Sequence, residues 1–140
     1  DLKRLNAKYN LNQLKINIIK CMSYDKIFAN YKNYDGLIFP SLAESFGLPV
    51  LEASINKIPI LCSDLKVFKE IFKDGCFYFN PNNSKSILDK INYFKSLKKN
   101  EINEKVKKNY NKAKKLNLNY FGKNYYNMII KTLYIYEKKK

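Results

Sequence analysis

Three short runs made almost entirely of apolar residues place the strongest constraint on how this chain folds. They are Gly36–Phe39 (GLIF), Ile58–Cys62 (IPILC) and Cys76–Phe79 (CFYF), and each stands between stretches with helical spacing. A continuously apolar strand is typical of a parallel sheet, because helices cover both faces of such a sheet. We also predict an earlier, β-branched strand at Lys15–Lys20 (KINIIK). The alternation of strands and helices predicts an α/β fold with a doubly wound parallel sheet.

Each of the helices between these strands has a residue suited to its start, either a side-chain cap or a proline in the first turn. The predicted helices are Tyr24–Lys32 after Ser23, Pro49–Asn56, Leu65–Phe72 after Asp64, and Ser84–Leu97 with Ser84 as the cap. Before them, Leu2–Tyr9 is predicted to be the tail of a helix, and a Lys-rich helical stretch begins near Glu101.

The C-terminal residues form a separate predicted unit. Aromatic and aliphatic residues recur every three or four positions from Tyr120 to Tyr136, which indicates one amphipathic helix before the basic run Lys138–Lys140. We therefore divide the chain into a partial domain, residues 1–118, and a C-terminal helix with a basic tail, residues 119–140.

The chain is strongly basic. Its formal net charge of +15 comes almost wholly from lysine, since Arg4 is the only arginine. Such a charge suits nucleic acid, anionic lipid or an anionic substrate. Abundant Lys, Asn, Ile and Tyr also follow from AT-rich codons, so solvated surface lysines explain the charge without any partner. Arginine is the usual residue for contacting bases, and its near absence counts against sequence-specific nucleic-acid binding.

The cysteine and histidine content excludes several kinds of site. The three cysteines, Cys21, Cys62 and Cys76, lack the spacing of a zinc site, and the chain has no histidine. We therefore expect free thiols in a reducing cytoplasm and no metal site. Without histidine, no catalytic scheme that uses a histidine base operates within this chain. No signal peptide is visible, and no apolar run approaches the roughly 18 residues of a membrane span.

The segment after GLIF is the best candidate for a ligand site. Ligands of open parallel sheets bind beyond the C-terminal ends of the strands, where Pro40–Leu48 (PSLAESFGL) is predicted to lie. The next helix begins around Gly47–Pro49, so its free N–H groups and positive dipole end point at the same rim. An anion such as a diphosphate would be stabilised there, and Gly47 permits close approach of a ligand to the backbone.

Two glutamates flank this helix start, with Glu44 in the loop and Glu52 in the predicted first turn of the helix. A carboxylate accepts hydrogen bonds from two hydroxyls at once, which suits a sugar. The alternative is that each is an ordinary surface glutamate or complements the helix dipole. Nearby, Phe46 suits the core and a ligand contact equally, and Tyr24 is predicted to be a core residue.

The whole string PSLAESFGLPVLEA, on a strand–loop–helix junction, resembles the E-x(7)-E donor-site motif of the family 4 (group 1) glycosyltransferases. These enzymes have two Rossmann-like domains, the architecture called GT-B, and the resemblance extends over about residues 14–97. It implies that this chain holds the C-terminal, nucleotide-sugar-binding domain of such an enzyme. The implied reaction transfers a hexose-type sugar from a nucleotide sugar to a glycan or lipid-linked acceptor, in the assembly of surface polysaccharide or lipopolysaccharide.

The resemblance also implies roles for individual residues. Glu44 would be the catalytic residue that contacts hydroxyls of the transferred sugar, and Glu52 would hold the ribose of the nucleotide. The further implied donor-binding residues are Ser45, Phe46, Gly47 and Leu48. Cys21 and Met22 would lie beside the nucleobase.

Enzymes of this family are typically metal-independent and retain the anomeric configuration of the donor. The resemblance therefore implies no metal and no cofactor, since the nucleotide sugar is a substrate. We also expect a cytoplasmic location, peripheral contact of the basic run Lys138–Lys140 with anionic lipid at the inner face of the membrane, and no nucleic-acid partner.

The chain departs from the family pattern in what precedes the motif. The phosphate-binding arginine and lysine of the family and its acceptor-binding domain have no match, because Lys3 and Arg4 are not in that motif context. We therefore expect a chain that is truncated at its N-terminus and inactive by itself. Two other interpretations stay open, a basic α/β module that binds nucleic acid and an inactive, truncated relative of the transferases.

Overall fold

A three-stranded parallel sheet lies at the centre of the computed structural model, which describes residue 19 and residues 21–116. The strands, which are neighbours in chain order, are β1 Leu37–Phe39, β2 Ile60–Ser63 and β3 Phe77–Phe79. Leu61 of β2 lies opposite Ile38, the middle residue of β1, and opposite Phe77, the first residue of β3.

Five α-helices surround this sheet in the part of the chain that the structure describes. They are α1 Tyr24–Asn30, α2 Leu48–Ile55, α3 Lys66–Phe72, α4 Ser84–Ser96 and α5 Lys99–Lys115. Short 3-10 turns, Tyr31–Asn33 and Lys73–Gly75, follow α1 and α3.

Helices cover both faces of the sheet. On one face, Val50 of α2 and Phe68 of α3 pack around Cys62 of β2 in a buried cluster. On the other face, Phe94 of α4 packs against a second cluster that includes Leu61. Adjacent residues of a strand point to opposite faces, which is why Leu61 and Cys62 belong to different clusters. The predicted α/β fold with a doubly wound, Rossmann-like parallel sheet is therefore confirmed.

All three apolar runs form strands within two residues of their predicted bounds. β2 begins after Pro59, which has no N–H for the ladder, although its carbonyl oxygen still accepts from the N–H of Leu37 (2.9 Å). Three other predicted elements lie wholly or mostly outside the described residues, namely the helix tail Leu2–Tyr9, the strand Lys15–Lys20 and the C-terminal helix from Tyr120.

The predicted N-cap of α4 is wrong by one residue. Asn83 caps this helix, because its side-chain oxygen accepts a hydrogen bond from the N–H of Ser86 (3.2 Å). Ser84 is already the first helical residue, and α4 ends at Ser96, close to its predicted end. Asparagine and serine are similarly good caps, so a sequence with both in succession does not distinguish them.

The predicted N-cap of α3 is also wrong. Leu65 occupies that position, because the N–H of Asp64 donates to the carbonyl oxygen of Phe79 (2.9 Å) and keeps Asp64 in the extended ladder beyond β2. The Asp64 carboxylate instead lies 3.5 Å from the ammonium of Lys69. Ser23 does stand at the N-cap of α1, but its side chain makes no capping hydrogen bond.

Two of the three cysteines are buried as free thiols. Cys62 lies in β2 and Cys76 directly precedes β3, whereas Cys21 is exposed. A hydrogen bond with Cys76 and burial both raise the pKa of the Cys62 thiol. Cys62 therefore stays protonated and behaves as a small apolar residue of the core.

α5 packs against α2 and against the 3-10 turn Lys73–Gly75, a contact that the sequence pattern did not predict. The Asn109 side chain, only 1% exposed, donates to the carbonyl oxygen of Gly75 (3.0 Å). At the surface, Lys108 forms an ion pair with Asp74 of the same turn. These contacts fix the last described helix to the loop before β3.

We predict that Gly75→Ala destabilises the fold by about 1–3 kcal/mol, the usual cost of forcing extra atoms into a packed core. A Cβ at Gly75 would stand 1.8 Å from the side-chain oxygen of Asn109, which is buried and whose amide donates to the Gly75 carbonyl oxygen. At Gly36, the matched control, a Cβ would meet its nearest atom, the carbonyl oxygen of Pro59, at 3.4 Å. Urea denaturation should show a large loss for Gly75→Ala and little change for Gly36→Ala, and equal midpoints would contradict this packing.

Candidate functional site

The loop of residues 40–47 connects β1 to α2 at the carboxyl edge of the sheet, where the sequence predicted a ligand site. The buried hydroxyl of Ser63, the last residue of β2, lies 3.4 Å from the carbonyl oxygen of Phe39, the last residue of β1. This contact joins the ends of the two strands. The loop therefore starts from a fixed point on the rim.

Gly47 ends the loop in a conformation that few other residues adopt. It stands at the N-cap of α2 with φ +82°, in the left-handed region. A Cβ at this position would lie 2.3 Å from the ring of Phe68, which is fully buried in α3. The Phe68 ring also packs edge-on against Phe39, with the ring centres 6.0 Å apart. Gly47 is therefore required both by its backbone angle and by the space that Phe68 occupies.

The N-terminus of α2 faces the rim without a side-chain cap. The Val50 N–H donates back to the carbonyl oxygen of Gly47 (3.0 Å), and Pro49 has no N–H. The N–H groups of Gly47 and Leu48 precede Pro49 at the very start of the helix. Leu48 is 61% exposed, so this end of the helix is open to solvent. Together with the positive end of the helix dipole, they can stabilise an anion.

Glu44 is half-buried within the loop. The Ser41 hydroxyl lies 3.1 Å from its Oε1 atom and 3.0 Å from the carbonyl oxygen of Ala43, so it shares its hydrogen between the two acceptors. Ser41 therefore orients the Glu44 carboxylate from within the same loop. A carboxylate held in this way can accept hydrogen bonds from hydroxyls of a ligand at the rim.

Glu52 lies in the second turn of α2, so its predicted place in the first turn is wrong. The helix begins at Leu48, which makes Glu52 its fifth residue. In this position Glu52 contacts the turn that follows α1. The Tyr31 hydroxyl, at the start of that turn, donates a hydrogen bond to the Oε2 atom of Glu52 (3.2 Å). The same hydroxyl lies 3.4 Å from the carbonyl oxygen of Pro49.

The negative charge of Glu52 raises the pKa of two tyrosine hydroxyls. Burial and the Glu52 carboxylate raise the pKa of Tyr31 to about 12. The charge of Glu52 also raises the pKa of Tyr24, which is 62% exposed. The prediction that Tyr24 is a core residue is therefore wrong, because its ring lies on the surface beside Glu52.

Cys21 and Met22, the predicted neighbours of a nucleobase, line a mostly apolar groove of about 660 Å³ that runs along β1. Cys21 is exposed, and the Met22 sulfur accepts a hydrogen bond from the Asn30 side chain (3.7 Å). Tyr31 lines the same groove, so the residue that contacts Glu52 also borders Cys21 and Met22.

The other predicted donor-binding residues differ in exposure. Ser45 is exposed and Phe46 is half-buried. Glu44 and Glu52 are held by different partners, Ser41 of the loop and Tyr31 of the turn after α1.

Two residues that shape the site were missed by the sequence analysis. Tyr31 was predicted only as a residue within the helix Tyr24–Lys32, although Tyr24, Phe28 and Tyr31 recur at helical spacing and form an aromatic row. Phe68 carried no signal at all, because nothing local in the sequence indicates that its ring meets Gly47.

The described residues lack a metal-binding cluster and a membrane-spanning helix. They contain no group of three or more His, Cys, Asp or Glu residues that could hold a metal ion. None of the helices described here is long and apolar enough to cross a membrane.

Known proteins show matching sequences. The O-antigen chain mannosyltransferase RfbU of Salmonella typhimurium is 33% identical over 72 residues, which cover 51% of this chain and 20% of RfbU. The O-antigen biosynthesis glycosyltransferase WclY of Escherichia coli is 38% identical over 61 residues, 44% of this chain and 17% of WclY. The serotype-specific mannosyltransferase WbdA of Escherichia coli is 44% identical over 50 residues, 36% of this chain and 6% of WbdA.

These matches span about a fifth of the length of RfbU and less of the other two relatives. The match to the family described as glycosyl transferases group 1 is more extensive, since it covers residues 1–115. The chain, with its Rossmann-like sheet and rim loop, therefore belongs to the group 1 glycosyltransferases.

Proposed function

We propose that this chain supplies the donor side of a glycosyltransferase that moves a hexose-type sugar from a nucleotide sugar to a glycan or lipid-linked acceptor. The observation that carries the proposal is the arrangement around the start of α2. Glu44 precedes the helix, Gly47 opens it, and Glu52 lies one turn inside it. One carboxylate before an uncapped helix N-terminus and another one turn inside the helix suit a ligand that has both hydroxyls and phosphates.

In this proposal the diphosphate lies against the N-terminus of α2. The N–H groups of Gly47 and Leu48 donate to phosphate oxygens, and the adjoining loop residues Ser45 and Phe46 border the donor sugar. The absence of a side chain at Gly47 lets the start of the helix pack closely over the Phe68 ring. Helix dipole and N–H groups then act on the same negative charge.

The two glutamates take different parts of the donor. Glu44, oriented by Ser41, accepts hydrogen bonds from hydroxyls of the transferred sugar and is the proposed catalytic residue. Glu52 accepts hydrogen bonds from the ribose hydroxyls. The base then extends toward Cys21 and Met22, in the groove that Tyr31 shares with them.

The reaction we propose retains the anomeric configuration and needs no metal. The bond between the anomeric carbon and the phosphate oxygen breaks while the acceptor oxygen bonds to the same face of that carbon. The leaving phosphate takes the proton of the acceptor hydroxyl. Family membership supports this chemistry, and the N–H groups at the start of α2 would stabilise the charge that develops on the phosphate.

The acceptor and the location belong to the same proposal. The names of RfbU and WclY connect them with O-antigen, which supports a glycan or lipid-linked acceptor. RfbU and WbdA are named mannosyltransferases, which makes mannose the first hexose to test. We place the protein in the cytoplasm, in peripheral contact with anionic lipid. A groove of about 610 Å³ beside β3 has four lysines, Lys69, Lys73, Lys90 and Lys105, against one acidic residue, Asp74, and this excess of positive charge supports that contact. Salt-sensitive sedimentation with phosphatidylglycerol vesicles tests it.

We predict that Glu52→Ala in the complete natural protein weakens donor binding roughly tenfold to a hundredfold, as expected when a hydrogen bond to a charged group is lost. Glu44→Gln should instead lower turnover at saturating donor by about tenfold or more, because the sugar is held less well in the transition state. A panel of UDP-, GDP- and ADP-sugars, including the mannose forms, identifies the donor before the variants are compared.

Glu70→Gln, an exposed glutamate on α3, is the matched control for both variants. It should change neither donor affinity nor turnover. Wild-type affinity for Glu52→Ala together with wild-type turnover for Glu44→Gln would contradict the proposed roles of the two carboxylates.

We predict that the first-formed product keeps the anomeric configuration of the donor, and that it forms at the same rate in excess EDTA. Proton NMR of the product within the first turnovers reports the configuration directly. An inverted anomer would contradict the retaining mechanism. Loss of activity in EDTA that manganese or magnesium restores would contradict the metal-free mechanism.

A further inference from the structure

An aromatic row on α1 and its following turn faces Glu52. Tyr24, Phe28 and Tyr31 are spaced by four and three residues, and successive ring centres are 6.1 and 6.5 Å apart. Residues at this spacing lie on one side of a helix. The row therefore brings the Tyr31 hydroxyl to Glu52 from an element that is separate from the motif loop.

We propose that Tyr31 is a positioning residue for donor binding, which fixes the Glu52 carboxylate by donating a hydrogen bond to its Oε2 atom. This inference rests on the proposed function, in which Glu52 holds the ribose. The Tyr31 hydroxyl takes up one acceptor site of the carboxylate, and the carboxylate has further lone pairs that can accept from the hydroxyls of the ligand. A side chain that is already ordered loses less freedom when the ligand binds, so the contact improves affinity.

The surroundings of Tyr31 suit this role. Its ring packs against the core cluster that contains Val50, while its hydroxyl is within reach of both Glu52 and the Pro49 carbonyl oxygen. The raised pKa of Tyr31, about 12, keeps the hydroxyl protonated throughout the physiological range. Tyr31 is therefore a permanent donor whose position is set by packing.

Tyr31 also borders the groove that contains Cys21 and Met22. A nucleobase in that groove and a ribose on Glu52 would lie on two sides of the same tyrosine. Tyr31 would then contact Glu52 with its hydroxyl and border the nucleobase site, so one residue would link the ribose site to the base site.

We predict that Tyr31→Phe, which keeps the ring and removes only the hydroxyl, weakens nucleotide binding about three- to tenfold in the complete natural protein, the range expected for one net hydrogen bond. Calorimetric titration with UDP, GDP and ADP measures this loss. On the Glu52→Gln background, Tyr31→Phe should cause no further loss, because the hydroxyl acts through the carboxylate. Tyr93→Phe, an exposed tyrosine on α4, is the matched control and should bind as the wild type does.

A spectroscopic measurement tests the contact without any ligand. The protein is labelled with carbon-13 at the tyrosine ring carbon that carries the hydroxyl. The NMR signal that is missing from the spectrum of the Tyr31→Phe variant is then assigned to Tyr31. Titration of the wild type should leave this hydroxyl largely protonated at pH 10.5, since its pKa is about 12. Glu52→Gln should lower the pKa of Tyr31, because the carboxylate charge is removed while burial, the larger cause of the raised pKa, remains.

The outcomes separate this inference from the proposed function. If the wild type binds one of the nucleotides and Tyr31→Phe binds it equally well, the role of Tyr31 is wrong while the proposed function stands. An equal loss on both backgrounds would show that Tyr31 does not act through Glu52, as would a Tyr31 pKa that Glu52→Gln leaves unchanged. If the wild type binds none of UDP, GDP and ADP, the proposed function is contradicted, and the role of Tyr31 with it.

Discussion

The contact between the Phe68 ring and the backbone of Gly47 determines where the candidate site lies. Phe68 is fully buried in α3 and packs edge-on against Phe39 at the end of β1. Gly47 then turns the chain, with φ +82°, from the loop into α2 directly over this ring. This packing fixes the distance between the start of α2 and the sheet. It thereby also determines where Glu44 and Glu52 lie.

The two carboxylates are held by different parts of the molecule. Glu44 contacts Ser41, three residues earlier in the same loop. Glu52 contacts Tyr31, which belongs to the turn after α1 and is 21 residues away in sequence. A shift of the loop would thus move Glu44 with little effect on Glu52. A shift of α1 would change Glu52 and the groove beside Cys21 and Met22 together.

The sheet could be predicted from the sequence because its strands are apolar throughout. GLIF, IPILC and CFYF leave no polar face for water, which favours strands buried between two helical layers. The rim loop could be predicted for the same reason, since a loop that follows a parallel strand lies at its carboxyl end. Glu44 and Glu52 were then named by their place around the helix start and by the family resemblance.

What the sequence did not predict depends on contacts between distant elements. Asp64 is a good cap in isolation, but its N–H belongs to the ladder with Phe79, so the helix starts later. The Tyr31–Glu52 hydrogen bond and the Phe68–Gly47 contact each join residues of different elements, and no local pattern encodes either. The docking of α5 through Asn109 and Gly75 is of the same kind.

A crystal structure of the complete natural protein with its nucleotide sugar tests the central claim most directly. The account predicts that the diphosphate lies at the N–H groups of Gly47 and Leu48, with Glu44 on hydroxyls of the sugar and Glu52 on the ribose. A donor bound elsewhere, for example in the lysine-lined groove beside β3, with no ligand contact to either glutamate, would contradict it.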